Sequence, residues 1–398
     1  MKILILNSGS SSLKYKLFDI ENDFQMLATG VVGRIGLKQS SIKYQAGSEK
    51  PVSINQPVAS HKLALELIRN LLTDPKNGVI KDLSEIKGIG HRVVHGAEKF
   101  SDSVLITDEV IAAIKGCCDL APLHNPPNLL GIEACHELLH SVPQVAVFDT
   151  AFHQTMPKKA FLYGLDYNQY VKYGVRRYGF HGTSHQYVSS KAAEILNTDI
   201  KNLKIITCHL GNGCSLTAIN GGKSVDTSMG LTPLEGVLMG TRCGDIDPYV
   251  TLYILDKEGL TLDEINRLFN NKSGLLGLCG KSDMRDVISQ IEKKDEMAKV
   301  AADVYVYRIV KYIGAYAAAM NGVNVIVFTA GVGENCSFIR TEIMKYLTFL
   351  GITIDEKKNE ENACIISTPE SKVKVLIVPT NEELVIAHDT YKIIKDIA

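Results

Sequence analysis

Five short apolar runs stand out along the chain: Ile3-Leu-Ile-Leu6, Val145-Ala-Val-Phe148, Ile205-Ile-Thr207, Val325-Ile-Val-Phe328 and Val375-Leu-Ile-Val378. They are continuous rather than alternating, which predicts strands buried on both faces of a sheet. Each run ends in a polar or glycine-rich turn: Asn7-Ser8-Gly9, Asp149-Thr150, Cys208-His-Leu-Gly211, 330–335 and Pro379-Thr-Asn-Glu382. Gly90-His-Arg-Val-Val-His-Gly96 is a further strand pattern, framed by glycines. Helical patterns lie between. His61–Leu72 places Leu63, Leu67, Ile68, Leu71 and Leu72 on one stripe, and Val300–Met320 predicts a long helix. Thr107 can cap a helix that carries Asp108 and Glu109 in its first turn. Thr261 and Glu264 form a capping-box pattern. Strands alternating with helices predict an α/β protein, in which ligands bind beyond the carboxyl ends of the strands.

The segment Asn7-Ser-Gly-Ser-Ser-Ser-Leu13 is echoed half a chain later by His209-Leu-Gly-Asn-Gly-Cys-Ser-Leu216. Both follow an apolar strand and lead through small residues into another. Two related halves would set two strand-turn-strand hairpins across a cleft. The expected division is residues 1–150 with a C-terminal helix at 384–398, against 151–383.

Charge narrows the function classes. Among 398 residues, 43 are Lys or Arg and 44 are Asp or Glu, so the net charge is −1. That argues against a binder of long polyanions such as nucleic acid. No apolar run approaches the roughly 20 residues that span a bilayer, so no membrane role is expected. Met1–Leu6 is too short for a signal-peptide core, which predicts a cytoplasmic protein. Nine cysteines without a C-x-x-C pair read as reduced, small apolar residues.

The 32 glycines cluster in the turns after the strands, where chemistry is expected. Gly222-Lys-Ser224 and Gly280-Lys-Ser282 lack the earlier glycine of a Walker A loop, and Gly331-Val-Gly333 misses the dinucleotide fingerprint. Two hairpin turns rich in Gly, Ser and Asn still offer backbone and hydroxyl donors to phosphates, and a third glycine-rich turn, 331–335, could let a flat ring or a ribose approach the backbone closely; tight turns with nothing bound are the structural alternative. Arg92 and Arg242 each sit in a glycine frame, rigid enough for bidentate recognition of carboxylate or phosphate. Pairing of Arg242 with Asp245 or Asp247 is the structural alternative. His181 stands in a glycine-rich turn before a helix, able to donate to an anion or to serve as a cap. Asp149 and Glu382 follow buried strands, as carboxylates that hold Mg²⁺ near phosphate do, and could equally cap the next helix. His136-Glu-Leu-Leu-His140 spells H-E-x-x-H, which on a helix could bind zinc as in a metallopeptidase. His124 is either a turn residue or a site residue.

Taken together, these segments resemble the acetate kinase family along essentially the whole chain. The resemblance is carried by Leu6–Lys14, Gly90–Gly96, Phe148–His153, Tyr178–His185, His209–Gly213, Gly240–Asp245, Ser282–Arg285, Gly331–Asn335 and Asn381–Leu384. It implies a duplicated ribonuclease H-like (actin-like ATPase) fold with two domains flanking a nucleotide cleft. It implies reversible, direct in-line transfer of the γ-phosphoryl group of ATP to acetate, giving acetyl phosphate and ADP, with Mg²⁺ or Mn²⁺, in a homodimer. By resemblance the catalytic groups are Arg92, Asp149, His181 and Arg242. Arg92, Val94, Leu123, Phe180 and Pro233 hold the acetate. Ser10, Ser12, Lys14, His209, Leu210, Gly211, Asn212, Gly213, Asp283, Met284, Arg285, Gly331, Val332, Gly333, Glu334 and Asn335 hold the nucleotide. Asn7 and Glu382 hold the metal. One methylene is worth only about 1–3 kcal/mol of discrimination, so propionate or another short-chain acid is the alternative substrate. An actin-like ATP binder without transfer activity is the alternative of another class. Ala97 stands where the family commonly has a second glycine. If the turn needs positive φ, Ala97 strains it.

Overall fold

A computed structural model describes residues 1–397 and divides them into two compact units. The last position of the expected 384–398 segment lies outside the described residues. The first unit comprises Met1–Ala151 and the segment that starts at Asn381; the second comprises Phe152–Thr380.

The first unit is built on an eight-stranded sheet in the order β5-β4-β3-β2-β1-β6-β8-β7. Its strands are β1 (Lys2–Gly9), β2 (Ser12–Asp19), β3 (Gln25–Gly33), β4 (Ser40–Ala46), β5 (Val52–Gln56), β6 (Ile86–Val93), β7 (Val104–Leu105) and β8 (Gln144–Phe148). β1 to β5 run as an antiparallel meander, whereas β1, β6 and β8 are parallel neighbours. The parallel centre is covered on both sides, which is why its strands read as unbroken apolar runs. Leu4, Leu6 and Ile89 pack with the helix His61–Leu72 and with Ala134 and Cys135 of the helix Asn125–Leu138. On the opposite face Ile3, Ile5, Val145 and Val147 pack with Ile386, Ala387 and Ile394 of the helix Glu382–Ile394. Gly88 and Gly90 are needed here: a side chain at either would collide with Ile394, Thr390 or Ile386.

The second unit repeats the plan with a five-stranded sheet in the order β11-β10-β9-β12-β13. These strands are β9 (Lys204–Leu210), β10 (Cys214–Asn220), β11 (Lys223–Thr227), β12 (Val325–Thr329) and β13 (Lys374–Ile377). The echo seen in the sequence is structural. β1 pairs antiparallel with β2 around the Gly9–Ser12 turn, and β9 pairs antiparallel with β10 around the Leu210–Cys214 turn. All five apolar runs are strands, and the long helix spans Glu296–Ala319. Thr107 accepts the Val110 N–H, and Thr261 with Glu264 closes a capping box.

Two expectations need correction. The helix at 61–72 forms, but its buried face is His61, Ala64, Leu65, Ile68 and Leu72, and Leu63 is 47% exposed. Alanine and histidine supply part of that face, so counting leucines rotates the stripe. The H-E-x-x-H segment is not a zinc helix. Its helix ends at Leu138, before His140, and Glu137 pairs with Lys62 at 2.6 Å. No three His, Cys, Asp or Glu side chains group as metal ligands among the described residues. In the same range no helix is long and apolar enough to cross a membrane.

Ala97 adopts φ = 50°, the left-handed region that a Cβ disfavours. Relief of that strain outweighs the extra unfolded-state freedom of glycine, so Ala97→Gly should stabilise the first unit by about 0.5–1 kcal/mol. A higher urea midpoint is the expected reading; a lower one would mean that the methyl packs usefully.

Candidate active site

In the first unit the parallel strands β1, β6 and β8 bring three polar groups to their carboxyl ends. Asn7 lies near the end of β1, Arg92 near the end of β6, and Asp149 immediately after β8. Arg92 donates from Nε to Asp149 Oδ1 at 2.9 Å and from Nη2 to Oδ2 at 2.5 Å, a two-pronged pair. Glu382, first residue of its helix, places a carboxylate oxygen 3.9 Å from Arg92 Nε. Asn381 caps that helix by accepting the Leu384 N–H, so Glu382 is released from capping. Burial works against the charge on Arg92, but Asp149 and Glu382 outweigh it and hold the guanidinium ionised. Burial also pushes the Glu382 carboxyl up; Arg92 and Lys14 oppose the shift, while Asp149 and Glu383 add to it.

The backbone beside Arg92 is fixed by two buried residues outside the expected set. Asn128 accepts the Val94 N–H and donates to the Ser8 carbonyl; Asn125 accepts the His95 N–H and donates back to the His95 carbonyl. Asn128 thereby ties the end of β6 to β1, and Asn125, which also donates to the Ile114 carbonyl, ties His95 to the helix Asp108–Lys115. Their signal was a pair of asparagines flanking the prolines of a helix start. Val94 is buried, whereas Leu123 is 61% exposed. Ser10 is exposed at the turn after β1, Ser12 opens β2, and Lys14 pairs in register with Asn7.

In the second unit His181 caps the helix Gly182–Ile195 from a left-handed conformation, φ = 56°. Its Nδ1 shares a 2.8 Å hydrogen bond with Ser215 Oγ, which lies 2.7 Å from His185 Nε2. His185 is fully buried, and burial, with His153 and His209 adding, drives its pKa down so that it stays neutral. The His181 ring stacks on His209 with centroids 4.2 Å apart, and His209 Nδ1 is held by Ser184 at 2.8 Å.

Arg242 lies in the irregular segment between β11 and the helix Pro248–Glu258 and donates from Nη1 to the Pro233 carbonyl at 3.1 Å. The alternative of an Asp245 or Asp247 partner does not hold. Asp245 accepts from Tyr312 and from the Gly236 N–H, and Asp247 caps the helix Pro248–Glu258. Arg242 makes no ion pair among the described residues, and burial lowers its pKa. A methyl placed on Gly213 would sit 3.3 Å from Arg242 Nη1 and 3.7 Å from the His181 ring. The Gly211–Gly213 turn, His181 and Arg242 therefore converge. Phe180 is buried beside His181, and its carbonyl accepts from His153 Nε2.

The far side of the same turn borders a cavity of about 700 Å³. Gly211, Asn212, Asp283, Met284, Arg285, Gly331, Val332 and Asn335 line it, as expected for a nucleotide pocket. Gly240, Leu275, Ser282, Ile288, Tyr305 and Cys336 also line it, and these the sequence reading missed. Met284 and Ile288 are four apart on the helix Met284–Glu292, a spacing that could have found the second. Ser10, Ser12 and Lys14 belong to the first unit; of the expected nucleotide residues in this unit four do not line the cavity, and a fifth, Gly213, faces Arg242. His209 and Leu210 are buried in β9, and the Gly333 carbonyl accepts from the fully buried Arg340. Glu334 accepts the N–H groups of Ala330 and Thr380, fastening the loop instead of facing the cavity.

Gly240 has no room for a side chain: a Cβ would lie 2.2 Å from Asn212 Oδ1 and 2.8 Å from the Ser282 carbonyl. Gly240→Ala should push both off the cavity wall, raising KM for ATP about tenfold with a smaller change in kcat. Steady-state kinetics checks this; an unchanged KM would free the cavity from that role.

Two units, each opening with a hairpin and carrying its polar groups at strand ends, define an ATPase-like phosphotransferase of the duplicated actin-like fold. The family model described as the acetokinase family matches residues 2–388. The acetate kinase of Carboxydothermus hydrogenoformans is 55% identical over 99% of this chain and 99% of its own. Among solved structures, Porphyromonas gingivalis acetate kinase superposes with a TM-score of 0.95 at 50% identity, covering 99% of both chains. A Francisella tularensis propionate kinase superposes with a TM-score of 0.93 at 43% identity, covering 98% of this chain and 99% of that one. The chain belongs to the acetokinase family.

Proposed function

We propose that the protein is an acetate kinase, transferring the γ-phosphoryl group of ATP to acetate to give acetyl phosphate and ADP, reversibly. The observation that carries the reading is Arg242: a half-buried guanidinium with no carboxylate, held beside His181 and the turn that forms one wall of the large cavity. A cation kept without a counter-ion suits an anion that arrives with the substrate.

Phosphoryl transfer asks for alignment and for neutralisation of charge on the transferred oxygens. Arg242 and His181 would donate to those oxygens. Ser215 orients the His181 ring by engaging Nδ1. Arg92 would hold the acetate carboxylate with its remaining donors, and Asp149 would fix the fork. Acetate is ionised at neutral pH, so Asp149 need not act as a base. Val94, Leu123, Phe180 and Pro233 are proposed for the acetate methyl, and Ser10, Ser12 and Lys14 for phosphates. Asp149, Glu382 and Asn7 are hard oxygen donors, and the carboxylates exceed the charge of Arg92, so the set fits Mg²⁺ or Mn²⁺. When bound, the cation supplies charge neutralisation for the phosphates. We further propose a cytoplasmic homodimer acting on small molecules, without nucleic acid or membrane partners.

Trapping acetyl phosphate as the hydroxamate in the presence of acetate, ATP and Mg²⁺ tests the activity; no product from folded protein would overturn it. The likeness to a propionate kinase supports a second reading, a short-chain acyl kinase. A kcat/KM for propionate above that for acetate would select it.

A further inference from the structure

The helix Glu382–Ile394 lies over β1, β6 and β8, so the same face of the sheet is left open across β2, β3 and β4. A groove of about 390 Å³ runs there, with Glu383 of the helix's first turn at its edge. Strand register places its side chains in two rows. Lys14, Val31 and Lys43 are direct cross-strand neighbours, as are Lys16, Thr29 and Gln45. Adjacent strands are about 4.8 Å apart, so Lys14 and Lys43 originate about 10 Å apart; Lys14 and Lys16, two residues along one strand, originate about 7 Å apart.

Charge on this face is unbalanced. Lys16 meets Glu383 at 3.2 Å, while Lys14 and Lys43 make no ion pair among the described residues. Like charges gathered on one sheet face repel; Glu383 offsets Lys16 and Lys14 acts on the buried Glu382, so Lys43 is the cation of the three that meets neither carboxylate. The groove floor is Val31 and Thr29, half-buried, which gives the lysine stems an apolar bed while their ammonium groups remain free to converge. The hydroxyl of Thr29 and the amide of Gln45 add neutral polar groups between the cations.

We propose that this groove is a binding site for an extended, multiply charged phosphate anion without a nucleoside, of the pyrophosphate or short polyphosphate type. Lys43 and Lys16 grip it, with Lys14 at its inner end. A longer anion can engage all three lysines while their ammonium groups stay apart, whereas a single phosphate would force the three cations together, so a longer anion is favoured. The site adjoins the proposed transfer machinery through Lys14 and Asn7, which also line the groove, and extends beyond it through Lys16, Lys43, Thr29 and Gln45, which belong to no part of that machinery.

The test is calorimetric titration of the full-length protein with sodium pyrophosphate and with inorganic phosphate, at constant ionic strength, with and without saturating ADP. Pyrophosphate should bind with ADP present, and tighter than phosphate. Lys43→Gln and Lys16→Gln, each removing one charge-assisted contact, should weaken it about tenfold. Lys43 is exposed, so Lys43→Gln should fold normally and keep kcat with ATP and acetate within about twofold. Loss of pyrophosphate binding when ADP saturates, or equal affinity in wild type and both glutamine variants, would overturn the proposal.

Discussion

Arg242→Ala should lose about three orders of magnitude in kcat while its thermal midpoint stays within a few degrees of the parent. The two halves of that expectation have one cause. Arg242 has no carboxylate partner among the described residues, so its removal strands no buried counter-charge. What is lost in the resting protein is the hydrogen bond to the Pro233 carbonyl, worth about 1 kcal/mol, and a weak contact with the Met239 sulfur, and burial of the charge is relieved at the same time. What is lost during transfer is a charged donor held in place before the reaction begins. Removing one such donor typically costs about 3–4 kcal/mol of transition-state stabilisation, a factor of 10²–10³, and a full charge sits at the upper end. Arg242→Lys should recover little, because a single ammonium cannot both hold Pro233 and reach a second oxygen in a fixed plane. Rate assays beside a thermal melt on the same samples make the measurement. An alanine variant that melts far below the parent would show that Arg242 braces the 228–247 segment, and the loss of rate would then say nothing about chemistry.

The contrast between Arg242 and Arg92 shows where the sequence stops. Both stand in glycine frames, and letters alone could not say which was paired. Pairing depends on which strand end comes to lie beside which. β6 and β8 are parallel neighbours although some fifty residues separate them, and that adjacency puts Asp149 on Arg92. For Arg242 the nearby Asp245 and Asp247 are drawn off by Tyr312 and by a helix end. Elements set by local rules were legible: unbroken apolar runs gave the parallel centre, and Thr107 and Thr261 gave helix starts. The meander strands β3, β4 and β5 escaped because they carry few apolar residues in a row: β4 alternates, with Ile42 and Tyr44 buried about an exposed Lys43, but over too short a stretch to stand out beside the continuous runs. The cavity wall was half legible. Gly-rich turns announce themselves, but Leu275, Ile288 and Tyr305 come from helices whose inward faces look like ordinary core. Glu334 shows the converse: a carboxylate in a motif can be consumed in fastening the loop that displays it.

Arg92→Ala should behave unlike Arg242→Ala, losing both activity and stability, with a loss of stability that depends on pH. Arg92 offsets two carboxylates. Asp149 is 2% exposed and bound at both oxygens, and Glu382 stands 3.9 Å away. Removing one partner of a buried pair leaves uncompensated charge and costs about 3–5 kcal/mol. Arg92 keeps 22% of its side chain open to water, which places the expected cost at the lower end. The sign with pH follows from Glu382, whose carboxyl is already raised by burial and pressed further by Asp149. Without Arg92, which opposes that shift, it rises more. A group raised in the folded state favours folding below its ordinary, unfolded value and loses that contribution as pH climbs through the folded value. The alanine variant should therefore lie closest to the parent near pH 4–5 and fall away toward pH 8. Glu382→Gln added to Arg92→Ala should flatten the difference, since the group that titrates is then gone. Unfolding midpoints across that range make the measurement; a gap between parent and variant that stays constant with pH would show that Glu382 does not feel Arg92. Millimolar Mg²⁺ should narrow the gap at pH 8 and do little at pH 5, because a divalent cation can take the place of the guanidinium only where both carboxylates are ionised.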